Sequence, residues 1–214
     1  MFEHGDAVRF QFPAGPHVAH DETQKSARIL RAAKRVFIRE GNAGFSARGV
    51  AKEARLSLGA VQHFYRTKHS LLAATLEYVV NEYEGAYQRL FDNLPDSDHV
   101  RLLGVIDVLV KDIWDAESRQ FFFALWALSC QDDFAAKLMA EMYAFHVRRL
   151  DTFIAAADPT LPAGSRREVA VQIAALVDGL MLFTDPRAKA LLSRKRMAES
   201  VKRTVAALLN PRIH

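Results

Sequence analysis

The chain has 214 residues, of which 50% are hydrophobic and 25% charged, and its formal net charge is +4 at pH 7. This is the composition of a globular protein with one or two domains. Its single cysteine, Cys130, excludes a disulfide framework and a zinc site built on several thiolates. No apolar run approaches the roughly 20 residues of a membrane span, and the first residues do not look like a secretory signal. We therefore expect a cytoplasmic protein without a membrane partner.

Charge is concentrated in one part of the chain. Residues 23–78 carry eleven basic and three acidic side chains, a net charge of +8, whereas residues 1–22 carry −3 and residues 79–214 carry −1. A compact basic segment beside a nearly neutral body is typical of a module that binds a polyanion. A basic face that is merely solvated is the alternative, because charge asymmetry alone is common.

Residues 1–21 are expected to form a flexible amino-terminal arm. Glycine and proline interrupt this stretch, and neither a helical nor a strand period emerges. His4, His17 and His20 lie in the arm, but their loose spacing is poor evidence for a metal site. We expect neither a metal nor a cofactor.

The apolar residues adopt helical spacing from Thr23 onwards. A first helix is predicted to end at Gly41, with Asp21 or Thr23 as its cap. Serine or threonine then opens each of three further helices, predicted at about Ala47–Ala54, Leu58–Tyr65 and Lys68–Leu90. Two short helices joined by a tight turn behind a longer helix predict a helix-turn-helix.

Helical patterns continue beyond Pro95, and no segment alternates like a strand. The 99–115 pattern has an apolar stripe of Val100, Leu103, Ile106, Val110 and Ile113, and the 117–130 segment is predicted to be buried on most sides. We therefore expect an all-α fold of about nine helices, with a three-helix helix-turn-helix unit at residues 22–68 and a larger helical body at residues 69–214. The carboxy-terminal helices are predicted at about 99–115, 117–130, 133–157, 166–183 and 187–208.

The third predicted helix has the chemistry of a DNA-reading element. Its first turn is small, so its amino terminus can enter a major groove, where backbone amides favour phosphate. Gln62 and His63 can bond to base edges, and basic residues nearby can contact phosphates. The candidate DNA-binding residues are Arg28, Ser46, Arg48, Ser57, Leu58, Gly59, Ala60, Gln62, His63 and Lys68.

These residues lie in a stretch, Ala27 to Leu72, that resembles the tetracycline-repressor (TetR) family of bacterial transcription regulators. The resemblance implies a homodimer that binds an operator in double-stranded DNA and responds to a small ligand. Two positions depart from the family pattern: Gln62 replaces a tyrosine, and Ser70 replaces a glutamate, which leaves Thr67 alone to cap its helix. The matching residues are Ile29-Leu30, Ala32-Ala33, Val36-Phe37, Gly41, Gly44-Phe45-Ser46, Val50-Ala51, Ala54, Leu56-Ser57, Gly59-Ala60-Val61, His63-Phe64-Tyr65, Lys68 and Leu71-Leu72.

The resemblance also implies that residues 22–68 form the DNA-binding domain and that residues 69–214 form an effector-binding and dimerisation domain, with an effector pocket and a dimer interface in the carboxy-terminal helices. Soft, aromatic side chains with a few polar groups suit a pocket for a small apolar effector, although ordinary core packing is the alternative. The candidate pocket residues are Trp114, Phe122, Trp126, Cys130, Met142, Tyr143 and His146. The candidate interface residues are Ile173, Ala174, Leu176, Val177, Gly179, Leu180, Val201, Val205 and Leu208.

The sequence thus predicts a transcriptional regulator, in the first place a repressor released from a palindromic operator by a small apolar effector. An activator or a ligand-independent DNA-binding protein is the alternative. A helical enzyme is a remote alternative, because no catalytic motif is found and no catalytic residue can be assigned.

Overall fold

The computed structural model describes residues 20–94, 97–184 and 193–209. Within these ranges the chain forms nine α-helices and no strand, so the predicted all-α fold is confirmed. The chain divides into two compact units, residues 1–85 and residues 86–214. The helices are α1 (His20–Gly44), α2 (Ala47–Ala54), α3 (Leu58–Phe64), α4 (Lys68–Asp92), α5 (Asp98–Asp112), α6 (Ala116–Ser129), α7 (Asp133–Ala157), α8 (Ala163–Met181) and α9 (Arg194–Leu209).

The first helix begins earlier than its sequence pattern predicted. Most of the expected arm, with His4 and His17, lies outside the described residues, but α1 begins at His20, within the predicted arm. The physical reason is that no breaker follows Pro16, and negative charge at residues 21 and 22 suits the first turn of a helix. Gly41, the predicted end, leaves the helical conformation with φ 61° and ψ −172°, but it makes a kink inside the helix, and α1 runs on to Gly44.

The caps of the two short helices are the predicted serines. The Ser46 hydroxyl accepts a hydrogen bond from the Gly49 N–H, and the Ser57 hydroxyl accepts one from the Ala60 N–H, each at 3.1 Å. These caps fix both starts, because each satisfies an amide that has no partner within its helix. The side chains packed beneath α1–α4 are buried and apolar: Ile29, Ala33, Val36, Phe37, Phe45, Val50, Val61, Leu71 and Leu76.

The turn between α2 and α3 is closed by Arg55 in a left-handed conformation, with φ 53° and ψ 47°. Its N–H donates to the Lys52 carbonyl at 3.1 Å, and the Leu56 N–H donates to the Ala51 carbonyl at 2.9 Å. Left-handed backbone costs a non-glycine residue about 1–2 kcal/mol. These two hydrogen bonds offset part of that cost and hold the angle between the short helices.

The start of α4 corrects the expectation that Thr67 caps it alone. The Ser70 N–H donates to Thr67 Oγ1 at 3.0 Å, and the Thr67 N–H donates to Ser70 Oγ at 3.2 Å. This is a reciprocal capping box in which a serine does what a glutamate does elsewhere. The serine suffices because its hydroxyl both donates and accepts hydrogen bonds.

Helices α5–α9 surround the core of the second unit. Helix α5 ends at Asp112 rather than at residue 115, because the Asp115 carboxylate caps α6 by accepting a hydrogen bond from the Ser118 N–H at 2.8 Å. Val100, expected on the buried stripe of α5, is 48% exposed. Nor is α6 buried on most sides: its fully buried apolar residues lie on one stripe. The core includes Leu102, Ile106, Ile113, Phe121, Leu125, Leu138, Leu150, Ile154, Ala170, Ile173 and Val205.

In the part of the chain that the structure describes, no helix combines the length and the apolarity that crossing a membrane requires.

Candidate functional site

Helix α3 buries one side and exposes the side that carries the predicted base-reading residues. Val61 is buried, whereas Gly59, Gln62 and His63 are exposed. Positions 59, 62 and 63 are separated by three and four residues, so they share one face of the helix. A helix of seven residues is about 10 Å long and fits a major groove about 12 Å wide.

Two glycines of the first unit have different surroundings. A Cβ atom at Gly49 would lie 3.1 Å from Ser46 Oγ, so the capped start of α2 leaves little room there. A Cβ atom at Gly59 would lie 4.0 Å from Ser57 Oγ, its nearest neighbour, so the fold itself does not require glycine at this position. The absence of a side chain at Gly59, at the start of α3, is therefore not required by packing within the chain.

The cations of the first unit fall into two groups. Lys34, Arg35 and Arg39 form ion pairs with carboxylates, and Glu53 receives both Arg35 at 2.7 Å and Arg39 at 3.2 Å. These two arginines lower the pKa of Glu53 by their hydrogen bonds and charges. A second group is exposed and makes no ion pair with any described residue: Arg28, Arg31, Arg48, Lys52, Arg55, Arg66 and Lys68.

The second group includes the three predicted phosphate contacts. Arg48 lies exposed in the first turn of α2, and Arg28 lies on α1 with its guanidinium 3.5 Å from the Arg55 carbonyl. The Lys68 ammonium donates to the Asn42 carbonyl at 2.8 Å, which ties the start of α4 to the end of α1, beyond its kink at Gly41. Arg66, between α3 and α4, was missed by the sequence analysis, although it directly follows the predicted reading helix.

A hydroxyl pair supports the end of α3. The Tyr65 and Ser26 hydroxyls lie 2.9 Å apart and join the residue after α3 to α1. Burial raises the pKa of Tyr65, so this phenol stays neutral and available for the hydrogen bond. Tyr65 therefore helps fix the orientation of the reading helix.

In the second unit, Trp126 and Tyr143 from the predicted pocket set are in direct contact. The Trp126 indole N–H donates to the Tyr143 hydroxyl at 2.9 Å, which joins α6 to α7. The Tyr143 hydroxyl in turn interacts with the Asp178 carboxylate of α8. Burial, followed by the Asp178 charge, raises the pKa of Tyr143, and burial raises the pKa of Asp178. Asp178 was not among the predicted pocket residues, because it stands alone in an apolar part of α8.

The remaining predicted pocket residues have different surroundings. Phe122 lies 6.3 Å from the Trp126 ring, and the His146 ring lies 6.4 Å from that of Tyr87. Burial and the Arg149 charge lower the pKa of His146 to about 4, so it is neutral at pH 7. Trp114 packs against the apolar core, and Met142 is buried. Cys130 is exposed at the end of α6.

A groove with a volume of about 570 Å³ runs between α7 and α8. Of the seven predicted pocket residues, only Tyr143 lines it. Its wall is mostly apolar, and one carboxylate and two exposed arginines are its charged groups. The lining residues are Tyr143, Ala144, Val147, Arg148, Arg167, Val171, Ala174, Ala175 and Asp178.

Most of the predicted interface residues face the core of their own subunit, which corrects that prediction for five of them. Ile173, Ala174, Val177, Val201 and Val205 are between 0% and 7% exposed in the single chain. Leu176, Leu180 and Leu208 are partly buried against the same core, and only Gly179 is exposed. The sequence showed which residues are apolar, but packing decided that the most apolar stripe faces inward.

The chain matches two family profiles. Residues 29–75 match the family described as bacterial regulatory proteins of the tetR family, and residues 100–210 match the BetI-type transcriptional repressor, C-terminal. The second match covers more than half of the chain.

Relatives and solved structures agree with these matches. The HTH-type transcriptional regulator BetI of Burkholderia mallei (strain NCTC 10229) is 29% identical over 160 residues, which cover 74% of this chain and 80% of the relative. BetI of Burkholderia cenocepacia (strain HI2424) is 29% identical over 169 residues, with coverages of 78% and 84%.

Solved structures share the fold. A transcriptional regulator from Pseudomonas aeruginosa PAO1 has a TM-score of 0.74 at 20% identity and covers 95% of both chains. A transcriptional regulator from Saccharomonospora viridis, in complex with choline, has a TM-score of 0.72 at 17% identity, with coverages of 86% of this chain and 96% of that chain. With the helix-turn-helix geometry of α2 and α3, these matches show that the chain belongs to the TetR family of DNA-binding transcriptional regulators and has a carboxy-terminal region of the BetI type.

Proposed function

We propose that this regulator is a repressor that binds a palindromic operator as a homodimer and leaves it when a small effector binds. The observation that carries the proposal is the exposed face of α3, which carries Gly59, Gln62 and His63 and on which the chain itself does not require a glycine at position 59. Residues 22–68 bind DNA, and residues 69–214 dimerise and bind the effector. This function involves no catalysis, and the protein acts in the cytoplasm, where its operator lies.

In this proposal α3 enters the major groove, and cations around it contact the phosphates. Gln62 can bond bidentately to adenine, while His63 bonds to a base or a phosphate. Arg48 and Lys68 flank α3 without ion pairs to described residues, and Arg66 joins them as a further phosphate contact. Arg35 and Arg39 do not take part, because Glu53 pairs with both of them and Glu40 also pairs with Arg39.

The dimer forms through the outward face of α8. Gly179, Leu182 and Phe183, at intervals of three and four residues, form an apolar stripe at the carboxy-terminal end of α8, away from the residues that line the groove. Leu182 is 64% exposed and Phe183 is 51% exposed, so the single chain leaves two neighbouring large apolar side chains uncovered there. A two-fold axis at this stripe pairs identical faces, and each α3 then reads one half-site, with half-sites about 34 Å apart.

The effector binds in the α7–α8 groove, whose volume lies within the range of small-molecule sites. The related structure from Saccharomonospora viridis is in complex with choline, a cation with a compact apolar head. Here, the Asp178 carboxylate and the Tyr143 ring can hold such a head by charge and cation–π attraction, and the Trp126 indole N–H holds the Tyr143 hydroxyl in place. Arg148 and Arg167 line the same groove but are exposed, so water and salt screen their charges more than that of Asp178. The effector is thus a small, largely apolar molecule with at most one positive charge.

A gel shift on the upstream region of the protein's own gene tests the proposal. Choline should weaken binding, whereas 3,3-dimethyl-1-butanol, which has carbon in place of nitrogen, should act only at much higher concentration. Asp178→Asn should remove this difference while leaving DNA affinity without effector unchanged. Transcription in vitro from the same promoter should fall when the protein is added. A rise in transcription would make the protein an activator, and equal effects of the two compounds would remove the cation from the proposal.

A further inference from the structure

The α7–α8 groove carries opposite charges at its two ends. Its lining residues on α8 lie at positions 167, 171, 174, 175 and 178, so they share one face of the helix. Arg167 is the first of them and Asp178 is the last, and their Cα atoms are about 16 Å apart along the helix axis, or about three turns. The residues between them are valine and alanine, so an apolar surface joins the two charged ends.

The lining residues of α7 have the same polarity, because the two helices are antiparallel. Asp151 of α7 pairs with Arg166 of α8 at 3.2 Å, close to the turn that joins the helices, whereas Tyr143 contacts Asp178 farther from that turn. Arg148 therefore lies towards the end of the groove that carries the lining arginine of α8. One end thus has two guanidinium groups, and the other has a carboxylate beside a phenol.

The two arginines of the groove are open to a ligand. Arg148 and Arg167 are exposed, and neither forms an ion pair with any residue in the described ranges. Neighbouring Arg166 differs, because its charge is already paired with Asp151. The Arg148 guanidinium lies 6.0 Å from the Phe145 ring centre, and a guanidinium beside a ring keeps its N–H donors for other partners. An anion at this end would receive hydrogen bonds and reduce the repulsion between two like charges.

We propose that the groove binds a zwitterion in which an apolar chain separates an ammonium group from an anionic group. This inference rests on the proposed function, because the ammonium group lies at the Asp178 end, and it adds an anion contact with Arg148 and Arg167. A carboxylate and a phosphate both accept paired hydrogen bonds from a guanidinium, so either group suits this end. The chain lies on the valine and alanine surface, where burial of its methylene groups favours binding. A molecule whose two charges are adjacent reaches only one end of the groove.

Three compounds with the same trimethylammonium group and the same decamethylene chain test the proposal by calorimetry on the full-length protein. The chain ends in a carboxylate in the first, in the neutral primary amide in the second and in a phosphate in the third. The carboxylate or the phosphate should bind about five- to thirtyfold more tightly than the amide, because two ion pairs with exposed arginines contribute about this much. The tighter of the two identifies the anion. Added salt should reduce the preference, since the arginines are exposed.

Variants assign each charge of the ligand to one end of the groove. The double variant Arg148→Met with Arg167→Met should abolish the preference for the anionic compounds over the amide. Asp178→Asn should weaken all three compounds alike, because each carries the cation. Arg203→Met is the matched control, because it removes an exposed arginine of α9 that does not line the groove, and it should leave the preference unchanged.

Two results would overturn the zwitterion while the proposed function stands. In the first, the amide binds in a manner that depends on Asp178, but neither anionic compound binds more tightly than the amide. In the second, the double variant keeps the full preference for the anion, which places the anion outside the groove. If none of the compounds binds, or if Asp178→Asn binds the amide as the wild type does, the groove is not the effector site and both proposals fail.

Discussion

Gly59 allows the DNA-reading role of α3 to be separated from the stability of the fold. It is exposed at the second position of the helix, and a Cβ atom there would meet nothing closer than Ser57 Oγ at 4.0 Å. Replacing it by leucine therefore creates no clash within the chain. In the complex with DNA, however, the leucine side chain would lie between α3 and the wall of the major groove and would keep the helix from approaching the bases as closely as glycine allows.

Replacing Gly59 should raise the stability of the fold and lower the affinity for DNA. Glycine is up to about 1 kcal/mol less favourable than alanine in a helix, so Gly59→Ala and Gly59→Leu should raise stability by up to that amount. For a chain of this size, the gain corresponds to an increase in Tm of about 2–4 °C. In DNA binding, Gly59→Leu should lose at least two base-edge contacts of about 1–3 kcal/mol each, so that affinity falls by about 30-fold or more.

Gly164 provides a matched control on a helix that reads no DNA. It occupies the second position of α8, and a Cβ atom there would have no neighbour within 4 Å. Gly164→Leu should therefore leave DNA affinity unchanged while preserving the fold. Thermal melts and gel shifts on the two leucine variants, at one salt concentration, make the comparison.

Normal DNA affinity of a folded Gly59→Leu protein would refute the placement of α3 in the groove. Equal losses in Gly59→Leu and Gly164→Leu would instead mean that the loss of DNA binding comes from a general change in the molecule.

Four further predictions follow from the charges and contacts described above. DNA affinity should fall about 10³–10⁵-fold between about 50 and 200 mM salt for roughly 6–10 phosphate contacts, and Lys68→Ala should flatten this dependence in a salt titration. Gln62→Ala should relax preference at one base position in a selection from random duplexes, without changing Tm. Gly179→Arg, at a position where a Cβ atom would meet nothing within 4 Å, should place a charge in the dimer stripe and give folded monomers in sedimentation, whereas an intact dimer would place the interface elsewhere. Because the pKa of His146 is lowered from 6.5 to about 4, the folded state favours the neutral ring, so its stabilisation is complete above pH 6.5 and lost as the pH falls towards 4. The loss amounts to about 3 kcal/mol, and chemical denaturation of His146→Gln should show a correspondingly flatter pH dependence over this range.

The short helices show how much of the fold local sequence decides. The starts of α2 and α3 lie at the positions predicted from Ser46 and Ser57, because a capping hydroxyl acts within three residues of its own position. The capping box of Thr67 and Ser70 is equally local, but it was missed because serine was not expected to do the work of glutamate. Local chemistry thus fixes these boundaries even where the expected residue type is absent.

The carboxy-terminal helices show the opposite case. Their existence follows from apolar periodicity, but which apolar residues face inward depends on neighbours far away in the chain. Ile173 is buried in the core of its own subunit, whereas Val171, two residues away, is 49% exposed, and both have the same β-branched character in sequence. Composition could not distinguish the core from a dimer surface, because the two kinds of surface use the same residues.

The sequence by itself determined the basic segment, the helix-turn-helix with its capped starts and the family to which the chain belongs. All of these depend on residues close together in the chain. Only the tertiary structure decided which cations are already paired, as the ion pairs of Arg35 and Arg39 with Glu53 show. It also brought Trp126, Tyr143 and Asp178 together from three helices. Such contacts join residues separated by tens of positions, and their energies depend on burial, which a sequence pattern does not contain.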